Sequence, residues 1–459
     1  MRKILKYNAG LLCAMIMCVF SACNSFVKID ASPLVINSAE LFRSDEVATS
    51  AVVGLYNQMT TLNMSAMNGG ITVYSALSAD EIYPGGSNTN YEVFYRNAVP
   101  ESNGIVNLNL WGYLYRSVYR CNAIIEGIDH STGLSEATRK QLQGEAYFVR
   151  AFNYFYLVNL FGKVPLSVET DYRKNAIAPR SEINEVYAQI IEDLKQAALL
   201  LPQPYVSQNR VRPNYYTALA LLSRTYLYTG QWEQAEKTAT AIIDGGMYQR
   251  EDDLSEVFQI ASTETIWQLY RDAVNTSDGA AFIPLSASAT PPLILTHELM
   301  QRFEGNDQRK AAWTGYNTVD NNPLYYPYKY KIRSGLPVQE YTVIFRLAEQ
   351  YLIRAEARAR LENLEDAKDD VDVIRNRAGL GGTTATDIPA LLTEIESQRA
   401  LELFCEWGHR WFDLKRTGRA DAVLEPLKSG WRKEAALLPI PSAERLINVF
   451  LDQNPGYND

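Results

Sequence analysis

Apolar residues recur at helical spacing through most of this chain, and two long stretches interrupt the pattern. Asp45 is placed to cap a helix through residues 46–62, where Val47, Ala51, Gly54, Leu55 and Met59 fall near a 3.6-residue period. From Val106 onward, Leu110, Leu114, Val118, Cys121 and Ile125 share one face. A third helix begins at Ser135, with Ser135 or Thr138 as its cap, and stops at Gly162, with Pro165 just beyond. A fourth starts at Ser181 and closes at Pro202; Glu182 and Glu185 give it an anionic first turn that suits the helix dipole.

Residues 213–245 fit the 34-residue helix–turn–helix pattern of tetratricopeptide repeats. Leu219, Ser223 and Tyr226 take the bulky, small and aromatic positions of the first helix, Gly230 the turn, and Trp232 and Ala235 the second helix. Tyr351, Ala355, Arg358, Glu362, Leu364 and Ala367 repeat the pattern within residues 343–380. Small residues at the crossing points let paired helices approach closely. The two units lie far apart in sequence, so they do not form a tandem array. A helical run is predicted from Val343 to Leu380 and a second long helix from Glu396 to Gly418. The Pro-bounded tail from Leu437 is half apolar and is expected to pack down.

Residues 63–103 and 245–338 keep no period and are rich in Gly, Pro, Asn and Tyr. Within the second, residues 264–270 read as a strand and residues 293–303 as a helix. Irregular regions of this length inside a compact chain usually carry function.

Composition narrows the classes. The 459 residues carry a formal net charge of −9, which argues against a nucleic-acid partner. Arg2, Lys3 and Lys6 followed by the apolar run Ala9–Phe20 read as a signal peptide over residues 1–22. Phe20-Ser21-Ala22-Cys23 is similar to a bacterial lipobox, which makes Cys23 the lipidated first residue, followed by a tether over 23–44 and a single domain over 45–459. Cys121 and Cys405 then remain; buried free thiols are the default, and a disulfide between them stays open.

Catalytic patterns are missing. His130, His297 and His409 are scattered without metal-ligand spacing, and there is no nucleophile elbow or P-loop. The DDVDV stretch at 369–373 reads as a solvated helix face, and no pair of carboxylates is nominated for glycoside hydrolysis. Asp80-Glu81 is the most suggestive acidic site, because a turn would expose it beside Tyr83. Sugars bind by stacking on aromatic rings and by hydrogen bonds from amides and acids, and both irregular regions have that composition.

Several blocks resemble the SusD/RagB family of Bacteroidetes surface lipoproteins. They are GEAYFVRAFNYFYLVNLFGKVPL (144–166), FRLAEQYLIRAEA (345–357), IRNRAGL (374–380), LLPIP (437–441) and QNPGY (453–457). A further block places Arg399, Glu402, Leu403, Glu406, Gly408, Arg410, Trp411, Asp413, Leu414, Arg416 and Gly418 in the family pattern, with Trp407 as an insertion-like departure. In that block, Arg399 with Glu402 and Arg410 with Asp413 read as structural pairs. The resemblance implies an all-α scaffold of tetratricopeptide-like helix pairs with long loop excursions and minor β structure. It implies an outer-membrane lipoprotein facing the cell exterior, without catalytic activity; the residues themselves nominate no cofactor and no metal ligands. Its implied partners are a glycan and a SusC-like TonB-dependent transporter. By region, the family's ligand sites map to residues 78–95 and 313–330. Tyr83, Tyr91, Trp313, Tyr316 and Tyr326 are the expected stacking residues, and Asp80, Asn88 and Asn90 the expected hydrogen-bonding ones. A peptide ligand in the same family and a secreted glycosidase are the competing readings.

Overall fold

The structure, a computed structural model, describes residues 38–457. The signal peptide, Cys23 and most of the tether lie outside the described residues. The described residues are 54% helical and 7% strand, an all-α fold with minor sheets. Among the described residues no helix is long and apolar enough to cross a membrane.

Helices α1 (Asp45–Thr61), α4 (Gly112–His130), α5 (Glu136–Phe161) and α6 (Ile183–Leu200) form the first half of an antiparallel array, with α2 (Ile71–Ser78) and α3 (Thr89–Tyr95) inserted between α1 and α4. Helix α5 is its spine and packs against both α4 and α6. Its N-terminus is capped by Ser135, whose Oγ accepts from the Thr138 N–H, and it ends at Gly162 with φ 73°. Ser44, not Asp45, holds the N-cap position of α1, with no side-chain capping bond; Asp45 accepts from the Ser135 N–H at 2.9 Å and its hydroxyl at 2.6 Å, tying the starts of α1 and α5 together. Glu182 and Glu185 form a reciprocal capping box on α6, in the predicted acidic first turn.

The array continues through α7 (Tyr215–Tyr228) and α8 (Trp232–Ile243), while α9 (His297–Arg302) belongs to the second excursion. The hairpin α10 (Leu347–Arg360) and α11 (Leu364–Arg377) stacks directly on α8. Two units remote in sequence are therefore neighbours in space. Ala235, Ala355 and Ala367 are fully buried at the crossings, and Ser223 Oγ donates to Gln350 Oε1 at 2.7 Å between the hairpins. The residues between the hairpins leave the array as one excursion and return to it.

Four expectations change. Residues 343–346 are not helical: β6 (Thr342–Arg346) pairs antiparallel with β2 (Thr265–Leu269), and helix begins at Leu347. Every residue of β6 is buried, and a short buried run carries no period that separates strand from helix. The segment read as a helix over 293–303 is strand β3 (Leu293–Leu295) followed by α9. The predicted long C-terminal helix is two, α12 (Ile388–Glu402) and α13 (His409–Arg416). Cys405, Trp407 and Gly408 between them have φ of 50°, 47° and 74°. Finally, the first irregular region contains a kinked turn, Ala66–Gly70, with non-helical backbone at Asn68 and Gly69, running into α2. Residues 65–82 are all buried, so this segment has no polar face and shows no amphipathic period.

Asp370 in the DDVDV stretch is also not solvated; at 2% exposure it accepts from Arg354 at 2.7 Å and Arg358 at 2.9 Å. Cys121 and Cys405 are buried free thiols. The tail packs as expected: the Leu438 N–H donates to Leu160 O and the Asn454 amide to Phe161 O, each at 2.8 Å.

Candidate functional site

The two irregular regions meet. Asp80 and Glu81 present their carbonyls to Thr296, which donates from its hydroxyl at 2.6 Å and its N–H at 2.9 Å. This seats strand β1 (Ile82–Pro84) antiparallel on β3, with Tyr83 opposite Ile294. The next residue must be glycine, because a Cβ on Gly85 would lie 1.9 Å from Pro291 O. Strand β3 in turn lies against β5 of the hairpin β4 (Thr314–Val319)–β5 (Asn322–Pro327). The hairpin turns at Asp320-Asn321, whose φ values of 49° and 62° suit a two-residue primed turn. Asn317 fastens it by donating to Ser286 O at 2.8 Å and Ala289 O at 2.6 Å.

The joined elements carry rings and amides. Tyr316 is 61% exposed, with its ring 5.6 Å from that of Tyr325, its cross-strand partner. Tyr83 is half-buried, 6.4 Å from the ring of Tyr95. Tyr91 is half-buried at 6.5 Å from Tyr74. Asn88 and Asn90 are exposed at the start of α3; Asn88 Oδ1 caps that helix by accepting from the Asn90 and Tyr91 N–H groups. Tyr95 and Tyr325 were not among the expected ligand residues. Along β5 successive side chains point to opposite faces, so the Tyr325-Tyr326 pair offers one ring to each, and sequence does not say which.

Three expected contacts do not fit. Trp313 is 0% exposed; its indole N–H donates to Leu254 O at 2.9 Å, and the Lys329 ammonium sits 4.8 Å from its ring. It is a core platform with no face free for a sugar. Tyr326 is 9% exposed, its ring packed over Gly315 and 5.8 Å from Tyr328. Asp80 is 4% exposed and clamped by Arg410 at 2.7 and 2.8 Å and by Arg302 at 2.8 Å. Burial would raise its pKa, but the hydrogen bond and charge of Arg410 overcome that and hold it below the usual value. Glu81 is buried as well, and burial pushes its pKa up to about 8. The acidic pair is thus a joint between core and surface, not a rim of the site.

Beneath Trp313 lies a fully buried ion network. Arg346 binds Glu264 at 3.0 Å, Glu402 at 2.5 Å and Glu406 at 2.9 Å. Arg377 bridges Glu264 and Glu402, Arg309 reaches Asp307 at 2.7 Å and Glu402 at 3.4 Å, and Lys329 reaches Glu406 at 2.5 Å. Four cations meet four carboxylates, the arrangement that makes buried charge tolerable. The expected pairs in the C-terminal block are therefore replaced: Arg399 binds Asp413 at 2.7 Å, Arg410 binds Asp80, and Glu402 serves the network. Asp307, Arg309 and Lys329 belong to the second excursion, so the network bolts that excursion to the end of α12.

Residues 35–227 match a family model described as SusD-like, "Starch-binding associating with outer membrane", and residues 304–457 match that of the SusD family. The chain is 23% identical to SusD-like protein P25 of Formosa agariphila, over 95% of this chain and 96% of that one. It is 24% identical to the starch-binding protein SusD of Bacteroides thetaiotaomicron, over 72% and 75% of the two chains. Among solved structures, a SusD superfamily protein from Bacteroides vulgatus superposes with a TM-score of 0.81 at 20% identity, over 91% of this chain and 100% of that one. A laminarin-binding SusD-like protein superposes with a TM-score of 0.77 at 23% identity, over the same shares.

Proposed function

This chain belongs to the SusD/RagB family, and from that premise we propose that it is a non-catalytic, glycan-binding lipoprotein of the outer membrane. In this reading it is anchored through Cys23, faces the cell exterior and passes captured oligosaccharide to a SusC-like TonB-dependent transporter. The observation that supports it is the joining of two separate excursions through β1, β3 and β5, with tyrosine rings on both and exposed amides at the start of α3. Rings supply the flat apolar faces that sugars stack on, amides the directional bonds, and neither needs a reactive centre. Tyr83, Tyr91, Tyr316 and Tyr325 are the stacking residues of this proposal, with Asn88 and Asn90 as hydrogen-bonding partners.

Starch and laminarin appear in the names of two similar proteins, so glucans are the first probes. In calorimetric titrations, Tyr316→Ala and Tyr83→Ala should each weaken glycan binding by roughly 1–2 kcal/mol, about tenfold, with little change in melting temperature. Trp313→Ala should instead lower the melting temperature, because it opens a cavity in the core. Unchanged affinity in both tyrosine variants would move the ligand elsewhere. A blank glycan panel with peptides that raise the melting temperature would favour a peptide ligand. Time-dependent product release from a polysaccharide would make the protein a glycosidase.

A further inference from the structure

A cleft of about 180 Å³ opens between the C-terminal end of α10 and helices α12 and α13. It shares no residue with the tyrosine surface. Four arginines line it, Arg360, Arg399, Arg416 and Arg419, against three carboxylates, so its lining carries one net positive charge. The carboxylates are already committed. Asp413 accepts from Arg399 Nε at 2.7 Å and Nη2 at 3.2 Å and from Arg416 Nε at 2.7 Å. Glu356 takes both remaining Arg416 nitrogens at 2.7 Å, and Glu396 binds Arg410 at 3.0 Å and also Arg419.

One donor is left over. Arg399 is 2% exposed, and its Nη1 is buried with no acceptor among the described residues. A guanidinium N–H is expensive to bury unpaired, and because Arg399 lines the cleft, an occupant there is placed to supply the missing oxygen. At the mouth, Arg360 is exposed, lies 5.5 Å from the Trp232 ring and has no carboxylate partner among the described residues. A cleft of about 180 Å³ is far larger than the roughly 15 Å³ that admits one water, and has room for one small anion.

We propose that this cleft binds a small oxyanion, the phosphate, sulfate or carboxylate group of an inorganic ion or an acidic sugar. Arg399 Nη1 is its buried donor, and Arg360 provides charge at the entrance. Guanidinium groups suit such ligands because their planar N–H forks match two oxygens at once.

The test is calorimetric titration of the mature chain with sodium sulfate and sodium phosphate, against sodium chloride at matched ionic strength. Saturable binding is expected, weakened by roughly threefold to tenfold in Arg360→Gln, which lies at the surface and should fold normally. Arg399→Lys keeps a charge but removes Nη1; where it folds, binding should be lost. Tyr316→Ala should leave anion binding unchanged, which separates this site from the glycan surface. Competition by D-glucuronate supports the proposal with an acidic sugar as the source, and binding without such competition supports it with a free inorganic ion. Heats that never saturate, or equal affinity in Arg360→Gln, would overturn it.

Discussion

Glu81 is fully enclosed and receives the Cys405 N–H at 3.0 Å. Its pKa rises from 4.5 to about 8, with burial the largest cause. The folded state therefore holds this proton across a range in which the unfolded chain has released it. Its stabilising contribution is complete below about pH 4.5 and is lost as pH climbs to about 8, at a slope of up to about 1.4 kcal/mol per pH unit. Glu81→Gln keeps an acceptor for Cys405 without the titrating group. Urea unfolding at pH 5, 6, 7 and 8 should show the variant gaining on the native chain with each step; parallel curves would mean that Glu81 stays ionised. Sequence suggested the opposite environment for this residue. Polar letters in SADEIYPGG read as an exposed turn, whereas Arg410, contributed from 330 residues away, makes burial of Asp80 affordable. Trp313 fails for the related reason that a large aromatic in a tyrosine-rich stretch looks the same whether it faces solvent or, as here, a ring of buried cations.

Helix starts, helix stops and the repeat signature were legible, because capping residues and small residues at fixed spacing are local. The spine α5, with its Ser135 cap and Gly162 stop, and both tetratricopeptide-like hairpins follow from that. Elements without such local marks were not: α2 and β6 are buried throughout and have no capping side chain, and the break between α12 and α13 comes from left-handed backbone at residues 405, 407 and 408. Gly408 and Gly230 test how such turns are enforced. Both have positive φ, 74° and 69°. A Cβ on Gly230 would meet only the Trp232 ring at 3.5 Å, so Gly230→Ala should cost about 1 kcal/mol, the backbone term alone. A Cβ on Gly408 would lie 2.8 Å from both Phe412 and Ser75, inside the core, so Gly408→Ala should cost about 2–4 kcal/mol. Denaturation midpoints measure the difference; equal costs would mean that the core around Ser75 yields freely.

Across the whole molecule, family blocks and hairpins could be read from the chain, but their assembly could not. That α8 stacks on α10, and that β1 pairs with β3 to fuse two excursions, depends on contacts between residues more than a hundred positions apart. The C-terminal block shows what those contacts accomplish. Its charges read as inter-helix pairs and caps, and Glu402 sits at 0% exposure between Arg346, Arg377 and Arg309, which come from three other segments. Glu402→Gln preserves shape and removes the charge, leaving three buried guanidinium groups short of a counterion. Stripping one partner from a buried cluster costs about 3–5 kcal/mol. The loss should be uneven, because the network joins Glu264 at the start of β2, the helix start at Asp307 and Arg309, and β6 to α12, while α4 and α5 contribute nothing to it. Hydrogen exchange should therefore show faster opening over residues 264–269 and 304–330, with α4 and α5 still protected. Glycan affinity should fall alongside, although Glu402 never reaches the surface, since β4 and β5 would lose their footing. Exchange that rises equally in every helix would show instead that the excursion and the scaffold unfold as one unit.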